Sequence, residues 1–185
     1  MDIAQALYEK HQATTYPRTD SSALPEDYVE TAREIMACLS GSFKVHAQRV
    51  IDNSWIAASD KRVFNNAEIS DHFAIIPTLV TPSGLDEDEA KIYDLIVRRF
   101  IAVFHPAAEY LNTQRTTLVA GETFYSSGRS LIRSGWLEVY GTDPDGDKTP
   151  SLCVVDAGES VRNVNIETKA KQTTPPPRYT EDTLL

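Results

Sequence analysis

Thr14-Thr15-Tyr16-Pro17-Arg18-Thr19-Asp20-Ser21-Ser22 sets a phenol, a guanidinium, a carboxylate and several hydroxyls side by side, with a proline stiffening the run. In an extended chain residues i and i+2 face the same side, so Tyr16 and Arg18 can address one ligand and Asp20 continues their face. A phenol is a weak nucleophile at neutral pH unless a neighbour activates it. The planar, permanently charged fork of Arg18 matches a phosphate. The combination reads as a tyrosine aimed at a phosphodiester, against a plainer reading in which Tyr16-Pro17 is a packed turn.

Helices flank this segment. Upstream, Ile3, Leu7 and Tyr8 recur on one side of a helix predicted over residues 3–12, with His11 near the end of the stripe. Downstream, Asp20, Ser21 and Ser22 offer capping side chains, and Leu24-Pro25-Glu26-Asp27 has the proline and acids of a first helical turn. Val29, Ala32, Ile35, Met36 and Leu39 then keep helical spacing until Ser40-Gly41 stops it. A second apolar-periodic stretch follows over residues 43–58. Between residues 41 and 67 the cations Lys44, Arg49, Lys61 and Arg62 outnumber Asp52 and Asp60, which reads either as a solvated face or as a strand-binding groove.

Ser70, Asp71 and His72 stand directly before Phe73-Ala74-Ile75-Ile76-Pro77-Thr78, which predicts a short buried strand. Asp86 and Glu89 have the spacing of a capping box and open the longest helix, with Ile92, Leu95, Ile96, Phe100, Val103 and Phe104 as its apolar stripe and His105-Pro106 at its end. The acids of residues 86–89 point in different directions around a helix start. They read as compensation of the helix dipole, not as a metal site.

Beyond Arg115 the period shortens. Strands are predicted at residues 117–120, 136–140, 152–155 and 160–166, with glycines between them, and Asp143-Pro144-Asp145-Gly146-Asp147 reads as a hairpin tip. The tail Thr173-Thr174-Pro175-Pro176-Pro177-Arg178-Tyr179-Thr180-Glu181 reads as an extended polyproline spacer. The fold class expected is α+β, a mainly helical part followed by a β-rich one.

Composition narrows the functional classes. A net charge of −9 repels nucleic acid over the surface as a whole, so a strand could be held only where cations gather locally. Cys38 and Cys153 share no metal-like spacing and fit a reducing compartment. No apolar run approaches the roughly 18 residues of a membrane span, and no signal-peptide pattern follows Met1-Asp2, so a cytoplasmic protein is expected.

The motifs, taken in order, resemble a known family. Ala6-Leu7-Tyr8-Glu9-Lys10 leading to Thr15-Tyr16-Pro17-Arg18-Thr19-Asp20-Ser21 is similar to the nucleophile segment of type IA DNA topoisomerases, and the proline after the tyrosine resembles the bacterial topoisomerase III branch. Ile69-Ser70-Asp71-His72-Phe73-Ala74-Ile75-Ile76-Pro77-Thr78 is similar to the second active-site strip. Gly121-Glu122-Thr123-Phe124, Gly135-Trp136 and Thr174-Pro175-Pro176-Pro177-Arg178-Tyr179-Thr180-Glu181 match later landmarks, so the resemblance spans nearly the whole chain.

The resemblance implies that Tyr16 attacks a backbone phosphate of single-stranded DNA, giving a 5′-phosphotyrosyl bond and a free 3′ hydroxyl. Arg18 is then the cleavage-site contact and His72 the group assisting from the other side. Asp20 and Ser21 are candidate DNA contacts, with helix capping an equal account of Asp20. Many family members carry a second histidine where this chain has Phe73, which leaves His72 as the chemical member of that pair. The family's Mg²⁺ belongs to a Toprim domain whose acidic cluster has no counterpart in this sequence, so no metal or other cofactor is expected on these residues.

The chain accordingly reads as an internal piece: a nucleophile domain over residues 1–116, a β-rich arch segment over 117–168 and a proline-rich linker over 169–185. Its expected partners are single-stranded DNA and the Toprim and remaining domains of the same polypeptide. Two other classes compete: a tyrosine recombinase, which would gather arginines and a histidine upstream of a C-terminal tyrosine, and a non-catalytic single-strand-binding module in which Tyr16 stacks on a base.

Overall fold

The computed structural model describes residues 2–141 and 152–184, which fall into two units, residues 1–152 and 153–185. The first unit begins with helix α1, Asp2–Glu9, anchored by the fully buried Leu7. It stops short of the predicted residue 12. Gln12 takes a left-handed conformation (φ 53°), and the amides of Lys10 and His11 fold back on the Ala6 carbonyl to close the last turn.

Residues 13–24 then run extended and are tied down along their length. The Thr15 amide donates to the Ile76 carbonyl at 3.0 Å, the Thr78 amide to Ala13 at 3.0 Å and the Ala74 amide to Ala23 at 2.9 Å. At the far end Leu24 bridges Phe64, giving its amide to Val63 and accepting from Asn65. Thr15 adds a side-chain clamp, its hydroxyl donating to the Ala74 carbonyl and accepting from the Ile76 amide, each at 2.9 Å. The stretch expected as a buried strand, residues 73–78, is therefore the partner of the tyrosine segment, although the two meet in an isolated bridge and not in a regular ladder.

The helical layer follows the sequence closely. A 3-10 turn, Glu26–Tyr28, leads into α2, Val29–Cys38, which buries Ala32, Ile35 and Met36 and gives way to a left-handed Gly41 (φ 62°). Helix α3, Lys44–Asp52, buries Ala47 and Val50. Helix α4, Glu87–Ala102, opens on a complete capping box between Asp86 and Glu89. Its buried stripe is rotated from the one expected. Val97, Phe100 and Ile101 face the core, whereas Leu95 is exposed.

Arg98, on the flank of that helix, reaches Asp94 and the Val139 carbonyl. Leu24, Met36, Val50, Phe64, Val97, Ile101, Phe104 and Val139 belong to one core cluster. Most of the cations between residues 41 and 67 are spoken for: Arg49 pairs with Glu138, Lys61 with Glu26 at 2.9 Å and Arg62 with Asp60 at 2.8 Å. That pairing favours the solvated-face reading of the window.

The β-rich part differs from expectation. Strand β1 runs from Glu109 to Val119 and pairs antiparallel with β2, Glu122–Arg133, in a two-stranded hairpin. Ala120 (φ 51°) and Gly121 (φ 85°) form its tip, both left-handed as a two-residue primed turn requires. Residues 136–140, expected as a strand, instead form a 3-10 helix, Gly135–Tyr140, with Leu137 and Val139 buried. The reversal rests on Gly135 (φ 51°): a Cβ there would lie 2.4 Å from the Pro106 carbonyl oxygen. A short apolar run does not by itself distinguish the two structures.

The strands expected at residues 152–155 and 160–166 are also absent among the described residues. Val154 and Val164 are almost wholly exposed, and among the described residues nothing pairs their backbone into a ladder. Residues 169–180 have no regular structure and lead to a single helical turn, α5, Glu181–Leu184. The expected hairpin tip at residues 143–147 lies outside the described residues. Cys38 and Cys153 are exposed, so neither serves as a buried core group.

Where α4 meets the hairpin, two imidazoles pack together. His105 is buried, its ring 6.1 Å from that of His46 and 4.9 Å from Trp55, and the His46 Nδ1 and His105 Nε2 have no hydrogen-bond partner among the described residues. Burial lowers the pKa of both below the ordinary 6.5; the nearby Arg49 lowers them further and Glu138 opposes. With the folded pKa depressed, the unfolded chain takes up protons first. Stability should therefore be fully present above about pH 6.5 and decline as pH falls below it. Thermal midpoints at pH 7.5, 6.5 and 5.5 check this: a drop confined to the lower interval, shallower in His46→Gln, is the expected outcome.

Candidate active site

Three parts of the chain converge on Tyr16. The ribbon places its half-buried ring with the His72 ring at 4.4 Å between centroids, tilted 41°, and Tyr8 of α1 meets it edge-on at 5.4 Å. Pro17 is buried and fixes the ribbon directly after the ring. His72 is held through its backbone, its carbonyl accepting the Thr19 hydroxyl at 2.9 Å. The contact between the two sequence motifs is therefore built by a threonine in one and a main-chain oxygen in the other.

Beside this pair a cleft of about 350 Å³ is lined by Arg18, Thr19, Asp20, Ser70, Asp71 and His72. Arg18 is exposed and makes no ion pair among the described residues. Its guanidinium is free to meet an anion. Asp20 accepts the Ser70 hydroxyl at 3.3 Å, which ties the two walls together. Ser21 is turned elsewhere: its hydroxyl donates to the Glu68 carbonyl at 2.7 Å and accepts the Ala23 amide at 3.1 Å. It lines a second cavity of about 520 Å³ with Thr19, Ser22, Arg62 and Arg99.

The arrangement brings Tyr16 and His72 into ring contact and places Arg18, Asp20 and His72 around one cleft. Sequence reasoning missed Tyr8, which reads as one more apolar position of α1, and the linking role of Thr19. The only signal for either was proximity in the chain. The cleft supplies two carboxylates, and among the described residues no group of three His, Cys, Asp or Glu side chains is placed to hold a metal. No helix among them is long and apolar enough to cross a membrane.

A tyrosine ring packed on a histidine, beside a cleft whose arginine makes no ion pair among the described residues, is an arrangement suited to an anionic ligand. Comparison with known families is more specific. The family described as DNA topoisomerase matches residues 1–185. The DNA topoisomerase 3 proteins of Bacillus anthracis and Bacillus subtilis (strain 168) are each 37% identical to this chain over 194 residues, covering all of it and 26% of their own length. The same figures hold for that of Bacillus thuringiensis (strain Al Hakam). The chain belongs to the DNA topoisomerase family, in its type IA, topoisomerase III-like branch, and spans about a quarter of the length of the relatives it matches.

Proposed function

We propose that the protein carrying this chain cleaves and rejoins one DNA strand by transesterification, with Tyr16 as the nucleophile. The phenolic oxygen attacks a backbone phosphorus of single-stranded DNA. A P–O bond to Tyr16 forms as the P–O3′ bond breaks, the phenol gives up its proton, and the departing 3′ oxygen takes one up. The reverse step restores the strand. One diester is exchanged for another, so resealing needs no ATP, and strand passage through the gap relaxes or decatenates DNA.

The observation that carries this reading is the contact of the Tyr16 ring with that of His72, which lines a cleft whose Arg18 makes no ion pair among the described residues. Arg18 contacts the phosphate and stabilises the charge that builds on its oxygens in the transition state. His72 donates to a phosphate oxygen from the other side. Asp20, bonded to Ser70, orients the cleft wall and Ser21 supports the strand beside it. The chain is organised as a nucleophile domain (1–116), an arch segment (117–168) and a proline-rich linker (169–185). Mg²⁺ is held by a Toprim domain elsewhere in a cytoplasmic protein.

This assignment makes the 185-residue chain a nucleophile without its metal domain. The complete protein, incubated with single-stranded oligonucleotide and Mg²⁺ and then denatured, should yield a covalent protein–DNA adduct. The isolated chain should yield none. An adduct from the isolated chain would show that the outside domains are dispensable, and no adduct from the complete protein would remove the proposed chemistry.

A further inference from the structure

The larger cavity beside the tyrosine segment has a lining unlike the rest of the surface. The protein carries 27 acids against 18 bases, yet the residues around this cavity include Arg62 and Arg99 and no aspartate or glutamate. Arg62 is already gripped by Asp60 through two hydrogen bonds. Arg99 is not. It is exposed near the C-terminal end of α4 and has no ion pair or side-chain hydrogen bond among the described residues, whereas its neighbour Arg98 is fully engaged by Asp94 and the Val139 carbonyl.

The hydroxyls divide in the same way. Thr19 and Ser21 have spent their donor protons on the His72 and Glu68 carbonyls, while Ser22 is exposed with its hydroxyl unpartnered among the described residues. The half-buried Trp136 adds an indole to the wall. A free guanidinium, a free hydroxyl and an aromatic surface around a cavity of about 520 Å³ suit an anion attached to a flat, partly apolar group. Thr19 lines both this cavity and the cleft beside Tyr16, so the two adjoin across one residue.

We propose that this cavity holds a nucleotide unit of the strand engaged at Tyr16, its phosphate on Arg99 and its base against Trp136. The inference rests on the DNA-cleaving reading above for the identity of the strand, and it adds a second grip on the nucleophile domain that is separate from the chemistry. Arg99 binds and takes no part in bond exchange.

The test is the salt dependence of binding by the complete protein, using a fluorescent single-stranded oligothymidylate in Mg²⁺-free buffer. Arg99→Ala should weaken binding about 3–10-fold at moderate salt and reduce the slope of log K against log salt by about 0.7, one single-strand phosphate contact. Lys91→Ala serves as control, because Lys91 lies on the same helix but outside the cavity, paired with Glu87 at 2.8 Å. Its slope should match the wild type. An Arg99→Ala slope no different from that of Lys91→Ala overturns the proposal, even if affinity falls. Covalent capture through Tyr16 is read separately, so loss of the adduct with a retained slope change would count against the chemistry and leave the cavity assignment standing.

Discussion

Tyr16→Phe in the complete protein should abolish covalent capture of DNA, by on the order of 10⁴-fold or more, because the substitution deletes the attacking oxygen and no other group replaces it. The loss should be chemical and not structural. Phenylalanine retains the ring that packs at 4.4 Å on His72 and edge-on to Tyr8, so the thermal midpoint should hardly move. Non-covalent affinity for a single strand should also stay within about threefold, since the phosphate grips on Arg18 and Arg99 remain. A module that merely stacks Tyr16 on a base makes the opposite forecast, with whatever capture occurs surviving the change.

Phe64→Ala carries the largest expected effect on stability. Its side chain is wholly buried, packs 6.0 Å from the Phe104 ring and sits where Leu24 bridges residue 64 at the end of the tyrosine ribbon. Truncating a buried phenylalanine costs about 3–5 kcal/mol, a large part of the 5–15 kcal/mol that typically holds a domain folded. Chemical denaturation should show a lower midpoint with an unchanged slope. Phe124→Ala on the exposed β2 face should lower stability by no more than about 0.5 kcal/mol. Because the ribbon's far anchor passes through residue 64, the weakened variant should also lose cleavage before it loses the fold.

These two positions show what could be read in advance. The helices were legible because their signals are local: the capping box of Asp86 and Glu89, the stop at Ser40-Gly41 and the buried spacing of Ala32, Ile35 and Met36 all appear as written. The α4 stripe was read a few positions off because Leu95 is apolar yet faces solvent, while Arg98 lies along the core's edge and is satisfied there. Strand β2 went unseen because serines dilute its alternation. Trp136-Leu137-Glu138-Val139-Tyr140 looked like a strand because five residues cannot declare a period.

The site was legible as two motifs and not as a geometry. That Tyr16 meets His72 depends on long-range hydrogen bonds, such as Thr19 to the His72 carbonyl and Thr15 to Ala74, which no local pattern announces. The choice between a solvated face and a groove for the basic window was hidden for the same reason, since the carboxylate that takes up Arg49 comes from Glu138, far along the chain.

The central claim is most directly tested by trapping the adduct, trimming the DNA with nuclease and locating the modified peptide by mass spectrometry. One nucleotide residue attached through its 5′ phosphate to Tyr16 is the expected result. A modification on any other side chain, or linkage through a 3′ phosphate, would contradict it.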